Sequence, residues 1–344
     1  MMRTLPDQSV HTCVTSPPYF GLRDYGVDGQ IGLESSPREF IDSLVAVFRE
    51  VRRVLRDDGT LWVNLGDSYA SGGRGGGGRY MAERGDGAWQ GKGDATGWRS
   101  APTGWKHKDL LGLPWRLAIA LQDDGWYLRQ DIIWHKPNPM PESIKDRCTK
   151  AHEYLFLLSK SPRYYFDQGA IREPAMASCI SRWSQDIEAQ AGGVRVLGKN
   201  NGPVKAVGKS KRNSFARKTK HTEGEHGQTA QHRAGRDGID YDETRNKRSV
   251  WTVATASFKG AHFATFPPAL IRPCILAGSP RGGMALDPFG GAGTTALVAM
   301  QEGRQSVICE LNPEYAALAR QRLDNAWLGG AAQIDFLLDQ SPAA

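Results

Sequence analysis

The sequence predicts an α/β protein interrupted by a basic insertion, and three observations carry that prediction. Short apolar runs alternate with helical periodicities over the first 165 residues. A strand, a glycine turn, a helix and a second strand follow one another after residue 250. Between these halves, nine Lys or Arg and no acidic residue fall from Gly192 to Thr222, in a polar stretch with little periodicity. A chain of 344 residues, 40% hydrophobic, can hold one large α/β domain plus an insertion, or two domains. The net charge of +7 points to a polyanionic partner.

Ser9 to Thr15 reads as a buried strand. Pro37 to Leu55 repeats apolar residues at helical spacing (Phe40, Leu44, Val47, Phe48, Val51, Leu55), and Asp57-Asp58-Gly59 is expected to end that helix before a strand from Thr60 to Leu65. Residues 66–106 break the pattern. Their glycine run, Gly72 to Gly78, is expected to form a mobile loop, with Trp89, Trp98 and Trp105 available to close over a ligand. A helix from Leu110 to Leu121 and strands at Trp126–Trp134 and Glu153–Ser159 complete the first half, 1–165. The insertion is placed at 166–249 and the second half at 250–330. The second half holds a helix at Pro267–Leu276, a strand at Met284–Leu286, a helix at Thr294–Gln301, a strand at Ser306–Cys309 and a helix at Pro313–Leu328.

Five cysteines are scattered with no metal-pair spacing, so neither disulfides nor a metal is expected, in keeping with a reducing cytoplasm. The start carries no signal peptide and no apolar run is long enough to span a membrane, so no membrane partner is expected.

Two constellations carry chemistry. Val14-Thr15 runs into Ser16-Pro17-Pro18-Tyr19, where two prolines fix φ and donate no N–H. The resulting turn presents a hydroxyl, outward carbonyls and an aromatic face at a strand end, groups suited to a flat ring bearing an amino group. Taken alone, Pro-Pro-Tyr also fits a packing turn. The second constellation is Asp287-Pro288-Phe289-Gly290-Gly291-Ala292-Gly293-Thr294-Thr295, whose glycines admit a close ligand and whose helix start offers free N–H groups. Glu310, 23 residues beyond Asp287 and at the next strand tip, is placed to accept both hydroxyls of a ribose. The glycines also fit a loose dinucleotide fingerprint, which keeps a nicotinamide-dependent oxidoreductase as an alternative.

Together these motifs resemble the DNA amino-methyltransferases. The Asp287–Thr295 run is similar to their S-adenosylmethionine loop, Thr15 to Tyr19 to their catalytic motif, and His262-Phe263-Ala264-Thr265-Phe266-Pro267 to the element preceding the loop. The catalytic motif comes first, so the order resembles the circularly permuted β group. The resemblance implies a Rossmann-like S-adenosylmethionine-dependent methyltransferase fold with an inserted target-recognition region. It implies catalytic residues Ser16, Pro17, Pro18 and Tyr19, and cofactor contacts from Phe266, Asp287, Pro288, Phe289, Gly290, Gly291, Gly293, Thr294, Thr295 and Glu310. Double-stranded DNA is the implied partner. A separately encoded restriction endonuclease and a second copy of the chain are further partners it allows, in a prokaryotic cytoplasm or a phage-infected cell.

An exocyclic amino group is conjugated with its ring and is a poor nucleophile. Accepting its two N–H bonds with the Ser16 side chain and the Pro17 carbonyl would free the lone pair for in-line attack on a sulfonium methyl. Tyr19 would stack on a base flipped from the duplex. Methylation at cytosine C5 needs a thiolate, and Pro273-Cys274 lies in an expected buried helix, so that chemistry is disfavoured. In the family, Ser before Pro-Pro is typical of cytosine-N4 enzymes and Asp of adenine-N6 enzymes, so Ser16 favours N4 with N6 as the alternative. A non-catalytic DNA-binding module is the third reading.

DNA contacts are expected from Lys211, Arg212, Arg217 and Lys218 in the insertion, and from His135 and Lys136 after a strand near the catalytic edge. The chain departs from the family at its start, where a strand with a Gly-Asp pair and the beginning of a helix are missing. Either the start is truncated, or Gln333 to Leu338 supplies the missing strand beside Ser306–Cys309; otherwise 331–344 is a tail.

Overall fold

The computed structural model describes residues 2–22, 24–70, 104–175, 194–196, 199–200, 244–255 and 266–338, with side chains of the last helix described to Leu328. In chain order the elements are β1 (Val10–Thr15), α1 (Pro37–Val54), β2 (Leu55–Leu65), α2 (Leu113–Asp123), β3 (Tyr127–His135), β4 (His152–Ser159), β5 (Glu173–Pro174), β6 (Val194–Val196), β7 (Lys199–Asn200), β8 (Thr244–Arg245), β9 (Val250–Thr252), α3 (Pro268–Gly278), β10 (Met284–Asp287), α4 (Thr294–Gln301), β11 (Gln305–Ile308) and α5 (Pro313–Leu338).

The chain divides into two compact units, one of residues 1–171 with 248–344 and one of residues 172–247. In the first, seven strands form one sheet in the order β11-β10-β1-β2-β4-β3-β9. The ladders are parallel except for those of β4 with β2 and β3, so β4 alone runs against the rest. The two halves of the sequence meet at β1 and β10, which pair Thr12 with Ala285 and Cys13 with Leu286. Crossovers leave this junction in opposite directions, β1 to β2 on one side and β10 to β11 on the other. In open α/β sheets ligands bind beyond the carboxyl ends of strands at such a reversal.

Alternating side chains build a core on each face. Cys13, Leu61, Val63, Phe156 and Leu158 pack with α1 and α2, whereas Val14, Trp62, Leu155 and Leu157 pack with α3 and part of α4. Helix α1 starts where Ser36 accepts the Glu39 N–H and Pro37 supplies the first turn, and it buries Phe40, Leu44, Phe48 and Val51. In the second unit, β5 pairs with β8 and β6 with β7, both antiparallel.

Three expectations need correction. The second strand starts at Leu55, directly after α1, and runs through Asp57-Asp58-Gly59. The β1–β2 ladder pairs Val10 with Leu55 and then shifts to Thr12 with Thr60, so the intervening residues are absorbed as an irregularity. Residues 333–338 are not a strand beside β11 but the end of α5. No proline breaks that helix after Pro313, and Ala331-Ala332 favour it over the local cost of Gly329-Gly330. Trp105 is anchored, partly buried against the core with the Arg116 guanidinium 4.7 Å from its ring centre. Next to it, a Tyr69–Leu110 bridge ties the two ends of the glycine-rich segment together, while residues 71–103, with Trp89 and Trp98, lie outside the described residues.

Candidate active site at the carboxyl edge of the sheet

Strand β1 ends at Thr15 and delivers Ser16, Pro17, Pro18 and Tyr19 just beyond the sheet edge, beside the loop that leaves β10. The bond between these segments is specific. The Thr15 hydroxyl donates to Asp287 Oδ1 at 2.6 Å, and Thr295 from the first turn of α4 donates to Asp287 Oδ2 at 2.7 Å. The Phe289 N–H adds a third hydrogen bond to Asp287 Oδ1 at 3.0 Å. Thr295 Oγ1 also lies 3.1 Å from the Val14 carbonyl. Asp287 is 2% exposed. Burial pushes its carboxyl up to about 6 against these hydrogen bonds, with Glu310 adding a further upward push. Its side chain therefore holds the loop to the catalytic strand.

The glycine turn is built for close approach. Gly291 and Gly293 have φ of 49° and 73°, left-handed values that favour glycine. At Gly293 a Cβ would also stand 3.0 Å from the Ala319 Cβ of α5. Helix α4 begins there without a side-chain cap, which leaves its first-turn N–H groups facing the edge. Thr294 accepts from Arg322, whose guanidinium also donates to the Ala292 carbonyl at 3.0 Å. The Glu310 carboxylate stands at the tip of β11, accepting the Gly291 N–H through Oε2 at 2.7 Å and the Asn312 N–H through Oε1 at 2.8 Å. Each oxygen keeps a lone pair for a further donor, so this pair of acceptors fits the vicinal hydroxyls of a nucleoside. Pro288 and Gly290 are buried in the turn, and Phe289 is partly buried against the core. Phe266 is buried at the entry to α3 among Val14 and Val298.

Tyr19 lies half-buried with its ring against the end of β2: a Cβ at Gly66 would stand 2.5 Å from Tyr19 Cε2. Its hydroxyl points inward and donates to Glu153 Oε2 at 2.6 Å, while the Asn64 amide donates to the same oxygen at 3.2 Å. Burial holds the Tyr19 phenol well above its ordinary pKa, and the Glu153 charge and hydrogen bond add to this. The neighbouring Ser16 side chain and Gly66 backbone act the other way. Lys136, expected among the DNA contacts, lies at this edge. Its ammonium pairs with Glu153 Oε1 and sits 4.4 Å over the Trp134 ring. Close by, Lys150 donates to the Asp67 carbonyl at 3.2 Å, its pKa lowered chiefly by burial.

His135 is exposed at the same edge, its Nδ1 3.1 Å from Thr252 Oγ1. Cys274 is fully buried in α3, away from any role as an exposed nucleophile. Lys211, Arg212, Arg217 and Lys218 lie outside the described residues, as do His262 to Thr265. Sequence reasoning missed Asn64, Gly66, Glu153 and Arg322 as parts of this edge. One signal was available, an acidic residue at the head of the apolar strand His152–Ser159.

A family model described as DNA methylase, N6_N4_Mtase, matches residues 10–321. The chain belongs to the N6_N4 DNA methylase family. Type II methyltransferase M.Cfr9I of Citrobacter freundii is 46% identical over 330 residues, covering 94% of this methylase and 84% of the relative. M.SmaI of Serratia marcescens is 43% identical over 319 residues, covering 92% and 85%. Among solved structures, the cytosine-N4-specific PvuII DNA methyltransferase aligns with a TM-score of 0.54 at 17% identity, over 95% of this chain and 87% of that one. A Thermus thermophilus protein described as a putative DNA modification methylase, solved with S-adenosyl-L-methionine, gives 0.51 at 19% identity, over 94% and 89%. At these identities the structures share the fold, and it is the Rossmann-like fold of S-adenosylmethionine-dependent DNA methyltransferases. The family match sets aside the oxidoreductase and non-catalytic readings.

Proposed function

We propose that this methylase transfers a methyl group from S-adenosylmethionine to the exocyclic amino nitrogen of a base flipped out of double-stranded DNA, with cytosine N4 preferred over adenine N6. The observation that carries the reading is the Thr15–Asp287–Thr295 set of hydrogen bonds. It fixes the Ser16 turn beside the glycine loop at the point where the sheet reverses its strand order. When bound, S-adenosylmethionine supplies an electrophilic methyl on a sulfonium. Glu310 would hold the ribose hydroxyls, and the Gly290–Gly293 turn and the start of α4 would lie against the remainder.

Ser16 and the Pro17 carbonyl would accept the two amino N–H bonds, and the Tyr19 ring would bear on the base. Orientation and fixed dipoles supply the rate, with no covalent intermediate on the protein. The neutral hydroxyl of Ser16, where a carboxylate would mark the adenine enzymes, supports cytosine. The relatives are named type II methyltransferases, which supports protection of DNA from a restriction endonuclease encoded as another chain, in a bacterial cytoplasm. The basic insertion would contact DNA phosphates, and His135 would stand near the target strand.

Transfer of labelled methyl to DNA tests the reading. Tyr19→Ala should slow transfer by about 10²-fold or more, while affinity for S-adenosylmethionine holds within about twofold. Equal losses in both would count against Tyr19 as the base-facing residue.

A further inference from the structure

The loop that joins β3 to β4 leaves the sheet at the catalytic edge, because β3 runs parallel to β1 and β2. Its first residue, Lys136, pairs with Glu153, which in turn accepts the Tyr19 hydroxyl. The loop therefore springs from the wall that holds the Tyr19 ring. Near its start stands Met140, 86% exposed, more than any other large apolar side chain among the described residues.

A single exposed apolar residue means little by itself. What sets Met140 apart is the frame that presents it. Pro137, Pro139 and Pro141 alternate with Lys136, Asn138 and Met140, so every residue from 136 to 141 is a proline or precedes one and has a restricted backbone. The Lys136 N–H donates to the Ala151 carbonyl at 2.8 Å and closes the base of the loop. On one flank the Asn138 side chain accepts the Thr255 N–H at 3.0 Å. On the other, Glu142 accepts from Arg147 at 2.7 Å, and the Arg147 guanidinium lies 4.0 Å from the Tyr69 ring centre. Only Pro139, Met140 and Pro141 lie between these two anchors. Four Lys or Arg against two acidic residues from 136 to 150 suit the loop to a polyanion.

A base that swings out of a duplex gives up its stacking and leaves a gap between its neighbours. DNA-binding proteins fill such openings with apolar wedges, methionine among them. A wedge already rigid in the free protein loses little entropy on insertion. Met140 lies four residues beyond Lys136, within about 14 Å of chain, so one site on DNA can meet both the pocket and the wedge.

We propose that Met140 is a positioning residue that enters the duplex where the target base leaves, and holds the stack open while that base lies against Tyr19. The proposal rests on the amino-methyltransfer reading above.

The test places 2-aminopurine beside the target base in a duplex carrying the mapped methylation site. Its fluorescence is read together with single-turnover methyl transfer. The wild-type protein should raise the fluorescence as the stack opens. Met140→Ala should lose about half or more of that rise and slow transfer about 10- to 100-fold, with S-adenosylmethionine affinity and the urea unfolding midpoint unchanged. Met140→Leu, of similar volume, should stay within about threefold of wild type. A mismatched target pair costs less to open, so on that duplex Met140→Ala should cost less than about threefold. Equal losses on paired and mismatched duplexes, or a full fluorescence rise with Met140→Ala, would overturn the proposal. So would an altered oligomeric state with normal fluorescence, which would assign Met140 to a contact between copies of the chain. A wild type that methylates no DNA would sink the amino-methyltransfer reading itself, whereas a Met140→Ala protein that matches an active wild type would overturn only the insertion.

Discussion

Gly66→Ala places one methyl group where the account leaves no room for it. A Cβ at this position would stand 2.5 Å from Tyr19 Cε2 and 3.1 Å from both Cδ2 and Cζ. Carbon atoms rest at about 3.5–4.0 Å, so the ring or the β2 end must yield by about 1 Å. The ring cannot simply swing aside, because its hydroxyl is held by Glu153 and its backbone follows the paired Thr15. Overpacking of this kind costs about 1–3 kcal/mol of stability. A misplacement of about 1 Å at a reacting centre costs about 10²-fold in rate. Single-turnover methyl transfer, calorimetric titration of S-adenosylmethionine and urea unfolding measure the three effects. Transfer should fall about 10²-fold, cofactor affinity should stay within about twofold, and the protein should remain folded at assay temperature. In the Tyr19→Ala background the added methyl should cost almost nothing further. Wild-type transfer by Gly66→Ala, or an equal cost in both backgrounds, would refute the placement of Tyr19 at the reacting centre.

Three further outcomes follow from the same geometry. Glu310→Ala should raise the calorimetric Kd for S-adenosylmethionine about 10- to 100-fold, because charge-assisted hydrogen bonds to the ribose are lost; an unchanged Kd would remove Glu310 from the cofactor site. The Asp287 carboxyl, lifted from 3.8 to about 6 by burial, binds its proton more tightly folded than unfolded. Its contribution to stability is therefore complete below about pH 4 and is lost as pH rises through 6, an order-of-magnitude loss of about 3 kcal/mol. Urea unfolding of wild type against Asp287→Asn should show the wild-type advantage shrinking across that window, and a growing advantage would contradict the assignment. Replacing Lys211, Arg212, Arg217 and Lys218 with Ala should flatten the salt dependence of DNA affinity measured by fluorescence anisotropy, and an unchanged slope would place the phosphate contacts elsewhere.

The parts of this enzyme legible in its sequence are those whose signals are local. The apolar run into Ser16-Pro17-Pro18-Tyr19, the helical spacing of Phe40 to Val51 and the strand–glycine–helix pattern at Asp287 each follow from neighbours in the chain. Each is found in the structure within a few residues. Glu310 was legible because its strand and the preceding turn fix its position. The Glu153 cluster was not, because it depends on β4 pairing against β2, which brings Asn64 and Glu153 together across 89 residues. Lys136 read as a DNA contact near the catalytic edge, and for a similar reason only the fold shows the Glu153 carboxylate beside it. Asp287 read as a ligand contact; what only the fold shows is that its oxygens also meet two threonines and a backbone N–H, one threonine 272 residues away. The early start of β2 and the length of α5 show tertiary pairing and helix continuity overriding local turn and strand signals.

The most direct test of the central claim is mass spectrometry of nucleosides from DNA incubated with the pure protein and S-adenosylmethionine. The account predicts N4-methylcytosine that appears only with the cofactor and is lost with Tyr19→Ala. N6-methyladenine in its place would contradict the reading of Ser16, and C5-methylcytosine or unmodified DNA would contradict amino-group methylation at this site.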